Sequence, residues 1–240
     1  MKKKQLQIED LQIKLTADQS PTYLHKELGA HYRSVQGAET ESNHVFIQGT
    51  RIREQAEWRI IELGFGLATN FQNLLKQAPV GQLIQYISID HQPAPPEVIE
   101  GSGLGARLAA SVLTQARETG ETAIAQHGNI VLTLIPDDID QVMLPKQWAN
   151  ACFHDPFGPK VNPEGWTVEC FSILYQAMSA DGILSTYGAA GHAKRAMVAA
   201  GFWIASGEGY GRKREITYAA KNPERLKHGV LNQKKNYQPR

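Results

Sequence analysis

The stretch from Arg59 to Asn70 constrains the fold more than any other part of the chain. Residues 59–63 (Arg-Ile-Ile-Glu-Leu) form a short, apolar, β-branched run, which predicts a buried strand. A Gly-x-Gly turn follows at Gly64 and Gly66. The apolar residues after the turn recur at helical spacing, namely Leu67, Phe71, Leu74 and Leu75. A strand, a glycine turn and a helix predict the first βα unit of a mostly parallel α/β sheet, with a ligand at the carboxyl end of the strand.

Two kinds of ligand suit such a turn. A dinucleotide site has a third glycine and places the pyrophosphate on the helix N-terminus, but here Thr69 occupies the third position. Read as Glu62-x-Gly64-x-Gly66-x-Ala68, the stretch resembles the Glu-x-Gly-x-Gly-x-Gly signature of S-adenosylmethionine-dependent methyltransferases. Glycines permit close backbone approach, and the Glu62 carboxylate suits a cationic amino-acid group. An ordinary tight βα turn is the alternative that needs no ligand.

Composition bounds the remaining possibilities. The chain has 240 residues, of which 42% are hydrophobic, so we expect one large domain or a domain with an appendage. Lys+Arg total 25 against 24 Asp+Glu, so a nucleic acid would have to be held by a local basic patch. No apolar run approaches ~18 residues and Met1–Gln5 is not followed by an apolar core, so we expect neither a membrane span nor a secretory signal. Cys152 and Cys170 are expected to be buried free thiols in a reducing cytoplasm, without a disulfide or a metal.

Acidic residues follow the next two predicted strands. Residues 83–89 form a strand that ends at Asp90, 24 residues after Gly66, close to the ~20 expected between a glycine turn and a ribose-binding carboxylate. A turn aspartate at a strand end is the alternative. Residues 130–134 form a third strand, followed by Asp137 and Asp138. In methyltransferase sheets an acid here commonly meets the exocyclic amine of the adenine; the sequence does not choose between the two residues, and a helix N-cap is equally consistent.

The loop after the fourth predicted strand, residues 151–155, is the second informative segment. It runs from Asp155 to Trp166 and is stiffened by proline and glycine. Asp155-Pro156-Phe157 resembles the (Asn/Asp)-Pro-Pro-(Tyr/Phe) motif of amine-methylating enzymes. In those enzymes the acid side chain and the following backbone carbonyl hold the N–H groups of the acceptor.

The rest of the chain supplies the frame and a basic segment. Residues 31–34 and 44–47 predict two short strands around a glycine-bearing loop at 37–42, a small antiparallel addition ahead of the main sheet. Further strands are predicted at 183–187, 202–204 and 215–219, the last antiparallel. We divide the chain into an N-terminal β extension (1–50), the main domain (51–220) and a basic tail (221–240), which is either disordered or faces RNA.

Three consecutive cations lie between the last two predicted strands. Arg212, Lys213 and Arg214 follow Tyr210 and Gly211, a combination that suits phosphate contact beside a stacked base. A solvated hairpin is the alternative.

Three segments together resemble one family: the methyltransferase half of the tRNA wobble-uridine modification enzymes of the MnmC type, and their stand-alone MnmD form. The shared patterns are Glu-Leu-Gly-Phe-Gly, Asp-x-Phe-x-Pro-x-x-Asn-Pro-x-x-Trp, and Ala-Gly-Phe followed by Gly-x-Gly-x-Lys-Arg-Glu. Here they lie at 62–66, 155–166, and 200–202 with 209–215. The resemblance covers roughly residues 10 to 220. Ala68 in place of a glycine, and Lys160 one position earlier than the loop's usual lysine, depart from the family pattern.

The resemblance implies a Rossmann-like α/β methyltransferase that uses S-adenosylmethionine. The implied reaction is N-methylation of the 5-aminomethyl group of (2-thio)uridine at the tRNA wobble position, giving 5-methylaminomethyl-2-thiouridine. Asp155 would hold the acceptor amine, with Tyr32, Phe157 and residues 212–214 on the side of the substrate. The implied partners are the anticodon region of tRNA and a separate enzyme supplying the aminomethyl precursor, in the cytoplasm, without a membrane, a metal or FAD.

Other functions remain open at this point. The same sheet could methylate another amine or RNA. An NAD(P)-dependent oxidoreductase is disfavoured by Thr69 and by the Asp155 loop. A non-catalytic RNA-binding module would leave that stiff acidic loop without a purpose.

Overall fold

The computed structural model describes residues 5–17, 19, 21–32, 37–211 and 215–231. These residues form a three-stranded sheet and a nine-stranded sheet. The strands are β1 (Leu11–Leu15), β2 (Pro21–His25), β3 (Ala30–His31), β4 (Glu57–Leu63), β5 (Leu83–Ile89), β6 (Ala123–His127), β7 (Ile130–Ile135), β8 (Ala149–His154), β9 (Met178–Thr186), β10 (Trp203–Glu208), β11 (Glu215–Ala220) and β12 (Val230–Leu231). The helices are α1 (Ala38–Ser42), α2 (Thr69–Lys76), α3 (Leu104–Thr119), α4 (Val168–Ala177) and α5 (Gly191–Ala199).

The large sheet is mostly parallel and is covered on both faces. Its strand order is β12-β10-β11-β9-β8-β4-β5-β7-β6. All six residues of β8 are buried, as expected for a strand with a helical layer on each side. The apolar faces of α2 and α3 pack into one core cluster and those of α4 and α5 into another. The predicted fold class, a mostly parallel α/β sheet with a small antiparallel addition, is confirmed.

The chain changes direction across the sheet between β4 and β8. From β4 the parallel order runs through β5 to β7 on one side, and through β8 to β9 on the other. Such a switch point leaves a crevice at the carboxyl ends of the two central strands, where open α/β sheets bind ligands. Gly64 follows β4 and Asp155 follows β8, so the crevice lies between the two segments that the sequence singled out.

The small sheet covers this edge. The strands β1, β2 and β3 pair antiparallel in chain order. Leu6 and Leu11 from this region are buried together with Leu67 from the glycine turn and Ala94 and Val98 from the segment after β5. The N-terminal addition therefore packs against the glycine turn and the segment after β5.

Residues 37–48 differ from the prediction of a loop and a strand. They form α1 and a π-helical segment, Asn43–Gln48. Val45, Phe46 and Ile47 are all at most 1% exposed, because this segment packs into the core of the large sheet. A continuous apolar run suits a buried strand and a buried helical turn equally, so periodicity alone chose the wrong one.

Four strands were not predicted, namely β1 and β2 of the small sheet and β6 and β12 of the large one. β6 and β7 form a hairpin in which His127 pairs with Ile130 across the two-residue loop Gly128-Asn129. That dipeptide was a usable hairpin signal.

Part of the predicted tail belongs to the fold, because Leu226 is fully buried and β12 pairs with β10. The domain bounds themselves stay a prediction.

Cys152 and Cys170 are buried and free, as expected. None of the helices in the described part of the chain is both long enough and apolar enough to cross a membrane.

Candidate active site

The turn after β4 presses directly against the loop after β8. Gly64 has φ +91°, a conformation that L side chains rarely adopt, and its N–H donates to the Ile89 carbonyl at 2.8 Å. A Cβ at position 64 would lie 2.6 Å from the backbone oxygen of Asp155. The Asp155 N–H in turn donates to the Leu63 carbonyl at 2.9 Å. The lack of a side chain at Gly64 is therefore what allows the two segments to touch.

Asp90, at the end of β5, organises the second half of the turn. Its Oδ2 accepts from the Gly66 N–H at 2.9 Å, and its Oδ1 accepts from the Gln92 N–H at 3.0 Å. Gly66 has φ +50°, and the Tyr32 ring would lie 3.0 Å from a Cβ placed there. Gly66 is thus hydrogen-bonded to Asp90, and Gly64 to Ile89, the residue before Asp90.

The Asp155 loop is fixed by aromatic side chains. The Tyr187 hydroxyl donates to the Pro156 carbonyl at 2.5 Å, and the indole Nε1 of Trp166 donates to the Phe157 carbonyl at 2.8 Å. Helix α4 follows this loop, and the Thr167 side chain caps it by accepting from the Cys170 N–H. Asn162 occupies the N-cap position of the 3₁₀ turn Pro163–Trp166.

Tyr32 and Phe157 form a wall above the turn. Their ring centroids are 5.0 Å apart in an edge-to-face arrangement. Burial, followed by the nearby Asp90 carboxylate, raises the pKa of the Tyr32 phenol well above its ordinary value, so the hydroxyl keeps its proton. The structure therefore brings both predicted substrate-side aromatics to the same place as the glycine turn.

Glu62 lies behind the cavity and does not line it. The residue is fully buried, its Oε1 accepts from the Asn70 amide at 2.8 Å, and its Oε2 accepts from the Ser88 hydroxyl at 2.9 Å. The same amide nitrogen also donates to Asp155 Oδ2 at 3.0 Å. This geometry does not favour the direct contact between Glu62 and the ligand that the sequence led us to expect. Asn70 was missed, since its partners are distant in sequence.

The glycine turn, Asp90, the Asp155 loop and the two aromatic residues Tyr32 and Phe157 line a cavity of about 740 Å³ at the carboxyl edge of the sheet. Within the part of the chain that the structure describes, its lining includes eight acidic residues and neither lysine nor arginine. The acidic residues are Glu41, Asp90, Asp137, Asp138, Asp140, Asp155, Glu164 and Glu169. A lining of this charge favours cationic ligands and opposes phosphate groups.

Asp137 and Asp138 both reach the cavity, on the far side of Asp90 from Asp155 in the strand order. Asp138 occupies the N-cap position of the 3₁₀ turn Ile139–Gln141 without a side-chain cap hydrogen bond, and its N–H donates to Asp137 Oδ1 at 2.9 Å. The choice between the two acids stays open. Arg212, Lys213 and Arg214 lie outside the described residues, so their predicted role stays a prediction.

His154 supports the Asp155 loop from below. It is the last residue of β8, and its ring is fully buried. Its Nε2 lies 2.7 Å from the Gly165 carbonyl and therefore donates, while Nδ1, 3.2 Å from the Thr186 hydroxyl, accepts. Burial lowers the pKa of the imidazole to about 4, so the ring is neutral at physiological pH.

The buried His154 predicts an acid-dependent loss of stability. An unfolded histidine has a pKa of about 6.5. Between about pH 6.5 and pH 4 the unfolded chain binds a proton that the folded chain does not, so the free energy of unfolding falls by ~1.4 kcal/mol per pH unit as the pH is lowered. In urea unfolding at pH 7 and pH 5, the wild type should lose about 2 kcal/mol more than His154→Gln. Equal losses in the two proteins would contradict a neutral buried imidazole.

The cavity, with its bare glycine turn and its acidic lining, suits a cationic adenosyl ligand better than a dinucleotide. A pyrophosphate would meet carboxylates here, whereas the positive sulfonium and amino-acid groups of S-adenosylmethionine would be stabilised by them. Fold and site thus define the class of Rossmann-like methyltransferases. A protein-family model described as "S-adenosyl-L-methionine-dependent methyltransferase" matches residues 102–222, and the chain belongs to this family. S-adenosylmethionine is its methyl donor.

Two proteins of known name are similar to this chain over most of its length. The chain is 30% identical over 204 residues to the "tRNA 5-methylaminomethyl-2-thiouridine biosynthesis bifunctional protein MnmC" of Pseudomonas fluorescens, covering 77% of this chain and 31% of that protein. It is 30% identical over 209 residues to the protein of the same name from Cupriavidus metallidurans, covering 78% of this chain and 31% of that protein. The chain thus spans about a third of the length of these relatives. The resemblance inferred from the three motifs is confirmed.

Solved structures agree with this similarity. The crystal structure of MNMC2 from Aquifex aeolicus is similar with a TM-score of 0.72 at 27% identity, covering 95% of this chain and 74% of that one. The spermidine synthase of Thermotoga maritima has a TM-score of 0.55 at 13% identity, covering 95% and 77%, which reflects the fold alone.

Proposed function

We propose that this enzyme methylates the 5-aminomethyl group of (2-thio)uridine at the wobble position of tRNA, giving 5-methylaminomethyl-2-thiouridine. The observation that carries the proposal is the contact between the glycine turn and Asp155, whose carboxylate lines the same acidic cavity. The names of the MnmC relatives, which refer to 5-methylaminomethyl-2-thiouridine in tRNA, support this choice of acceptor.

The main task of the protein in this reaction is to align the amine with the sulfonium methyl group. When bound, S-adenosylmethionine would supply a sulfonium methyl group whose carbon an amine can attack in line, with the C–S bond breaking and neutral S-adenosylhomocysteine as the leaving group. Holding two reactants in line can supply ~7–11 kcal/mol. An alkylamine with a pKa near ~10 is mostly protonated at neutral pH, and only its free base attacks. A carboxylate beside the amine favours the charged form, so we assign Asp155 the orientation of the amine N–H groups, with proton acceptance as a secondary role.

The other side chains divide between the two ligands. We assign Gly64 and Gly66 to close backbone approach of the cofactor, Asp90 to its ribose, and Asp138 or its neighbour Asp137 to its adenine. Tyr32 and Phe157 would flank the uridine. Glu62 would act on the cofactor-binding site indirectly, through its hydrogen bonds with Asn70 and Ser88. A cytoplasmic location and a separate enzyme that forms the aminomethyl group belong to the same proposal.

The charge of the cavity limits how tRNA can enter. Eight acidic residues repel phosphates, so only the uridine base and its cationic side chain would enter. The phosphates must then be held outside the cavity. The basic segment at 212–214 is the candidate for that contact on sequence grounds.

Transfer to defined tRNA tests the proposal. Purified enzyme and radiolabelled S-adenosylmethionine should label bulk tRNA from a strain that lacks this methyl group, and digestion should place the label on the side-chain amine of the wobble uridine. Matched tRNA from a strain that also lacks the aminomethyl precursor should take up no label. Label at another nucleoside would favour the alternative acceptor, another amine or RNA.

A salt titration tests the basic segment. Arg212→Ala and Lys213→Ala should each weaken tRNA binding and reduce the slope of log K against log salt by about 1, because one phosphate contact is lost. Lys146→Ala is the matched control, since Lys146 is exposed shortly before β8, at the edge of the sheet opposite the cavity. An unchanged slope in the Arg212 and Lys213 variants would rule out phosphate contact.

A further inference from the structure

A single buried amide joins the two halves of the active site. Asn70 is the second residue of α2, directly after the glycine turn, and is fully buried. Its Nδ2 donates to Glu62 Oε1 at 2.8 Å and to Asp155 Oδ2 at 3.0 Å. One NH₂ group therefore connects the strand before the turn with the loop across the switch point.

The chemistry of this position requires an amide. An asparagine side chain has two N–H donors, and here each meets a carboxylate oxygen. An aspartate at position 70 would bring a third carboxylate and no donor, and an alanine would bring nothing. Asn70 is 0% exposed, so bulk water does not reach the position to replace the amide. The Asn70 Oδ1 is buried without a hydrogen-bond partner, which is consistent with the side chain being held by its two donors.

Glu62, the other carboxylate that accepts from the Asn70 amide, is itself held by a hydrogen bond. Glu62 Oε2 accepts from the Ser88 hydroxyl on β5 at 2.9 Å. Ser88 and Glu62 lie opposite each other in the register of β4 and β5, and both are fully buried. The order of support therefore runs from the centre of the sheet, through Glu62 and Asn70, to the carboxylate of Asp155.

We propose that Asn70 is a positioning residue that sets the orientation of the Asp155 carboxylate and ties it to the glycine turn. The inference rests on the proposed role of Asp155 towards an amine. Because α2 carries Asn70 directly behind the turn, a displacement of the turn would also displace the donor of Asp155. The binding site of the methyl donor and the binding site of the acceptor would then move together.

A cofactor analogue provides a test that needs no tRNA. Sinefungin bears, in the place of the methylsulfonium, a carbon with an ammonium group that can donate N–H bonds to a carboxylate. The methylsulfonium of S-adenosylmethionine has no N–H to donate, and S-adenosylhomocysteine is neutral there. A correctly oriented Asp155 should make the wild type prefer sinefungin. The preference is the ratio of the Kd for S-adenosylhomocysteine to the Kd for sinefungin, both measured by calorimetry. In Asn70→Ala and in Asp155→Ala this ratio should fall at least tenfold, while the affinity for S-adenosylhomocysteine stays within about threefold of the wild-type value. The double variant should lose no more than either single one.

Asn73→Ala is the matched control. Asn73 lies on the same helix, is 7% exposed, and donates to the Glu39 carbonyl at 3.1 Å, away from the cavity. This variant should keep the wild-type preference, even if its melting temperature falls. If Asn70→Ala does not fold, Asn70→Ser is measured against the same thresholds.

Several results would overturn the inference. These are a wild type with no preference for sinefungin, an Asn70 variant that keeps the preference, or one whose affinities for both analogues fall equally. Transfer kinetics add a second criterion: in Asn70→Ala, kcat should fall about a hundredfold with KM for S-adenosylmethionine nearly unchanged, and a change confined to KM would count against the inference. If tRNA proves not to be the substrate, the proposed function fails while the analogue preferences still decide the role of Asn70.

Discussion

Replacing Asp155 with alanine is expected to lower the rate of methyl transfer to tRNA by about 10²–10⁴-fold, while the affinity for S-adenosylmethionine stays within a few-fold. The range is the one typical of a positioned acid or base, and loss of alignment adds to it. Asp155 lines the cavity from the end of β8, whereas the glycine turn and Asp90 lie on the other side of the switch point, at the ends of β4 and β5. Single-turnover transfer and calorimetry would measure the two quantities separately.

Asp155→Asn distinguishes orientation from charge. An asparagine carbonyl can still accept from the Asn70 amide, which lies 3.0 Å from Asp155 Oδ2 in the wild type. If Asp155 mainly orients the amine, the asparagine variant should retain much more activity than the alanine variant. If the two variants are equally impaired, the negative charge itself is required. Loss of cofactor binding without a further loss in the transfer step would instead make Asp155 a ligand of the cofactor.

Gly64→Ala is expected to be the most damaging change of a single methyl group in the site. The new Cβ would lie 2.6 Å from the Asp155 oxygen and 3.0 Å from its carbonyl carbon, and backbone atoms cannot rotate away as a side chain can. A φ of +91° adds a conformational cost of roughly 1–2 kcal/mol. With overpacking at about 1–3 kcal/mol, we expect a loss of about 3 kcal/mol in the free energy of unfolding, and loss of measurable S-adenosylmethionine binding.

Gly81→Ala separates these two costs. Gly81 has φ +82°, close to that of Gly64, but a Cβ there would have no atom within 4 Å. This variant should lose only the conformational part, about 1–2 kcal/mol, and bind the cofactor as the wild type does. Urea unfolding and calorimetry on both variants are the measurements. Equal losses would mean that the contact between the turn and the Asp155 loop can relax.

The parts of the site that sequence could predict are those that depend on strand ends. Gly64, Asp90 and Asp155 each follow a recognisable apolar strand, and parallel strands bring their carboxyl ends to one edge. The structure places all three around the same cavity. The glycine turn also carried its own steric signal, because it combined two glycines with a following helical pattern.

What sequence could not predict depends on contacts between distant residues. Asn70 meets a partner 8 residues away and another 85 residues away, and nothing in the local pattern distinguishes it from an exposed asparagine early in a helix. The burial of Glu62 behind the cavity follows from how β5 and α2 pack on β4, which no single segment specifies. Residues 45–47 show the same limit for secondary structure, because their core contacts decided between helix and strand.

The order of strands at one side of the large sheet affects how the chain can be completed on the ribosome. β11 lies between β9 and β10, although it follows both in the sequence. Until residues 215–220 have emerged, the main-chain groups of residues 183–186 have no strand on that side, and β10 has nothing that joins it to the sheet. A nascent polypeptide at this stage presents an open, apolar β-edge, which is a template for aggregation. The emergence of residues 215–220 therefore determines when this open edge is covered and β10 joins the sheet.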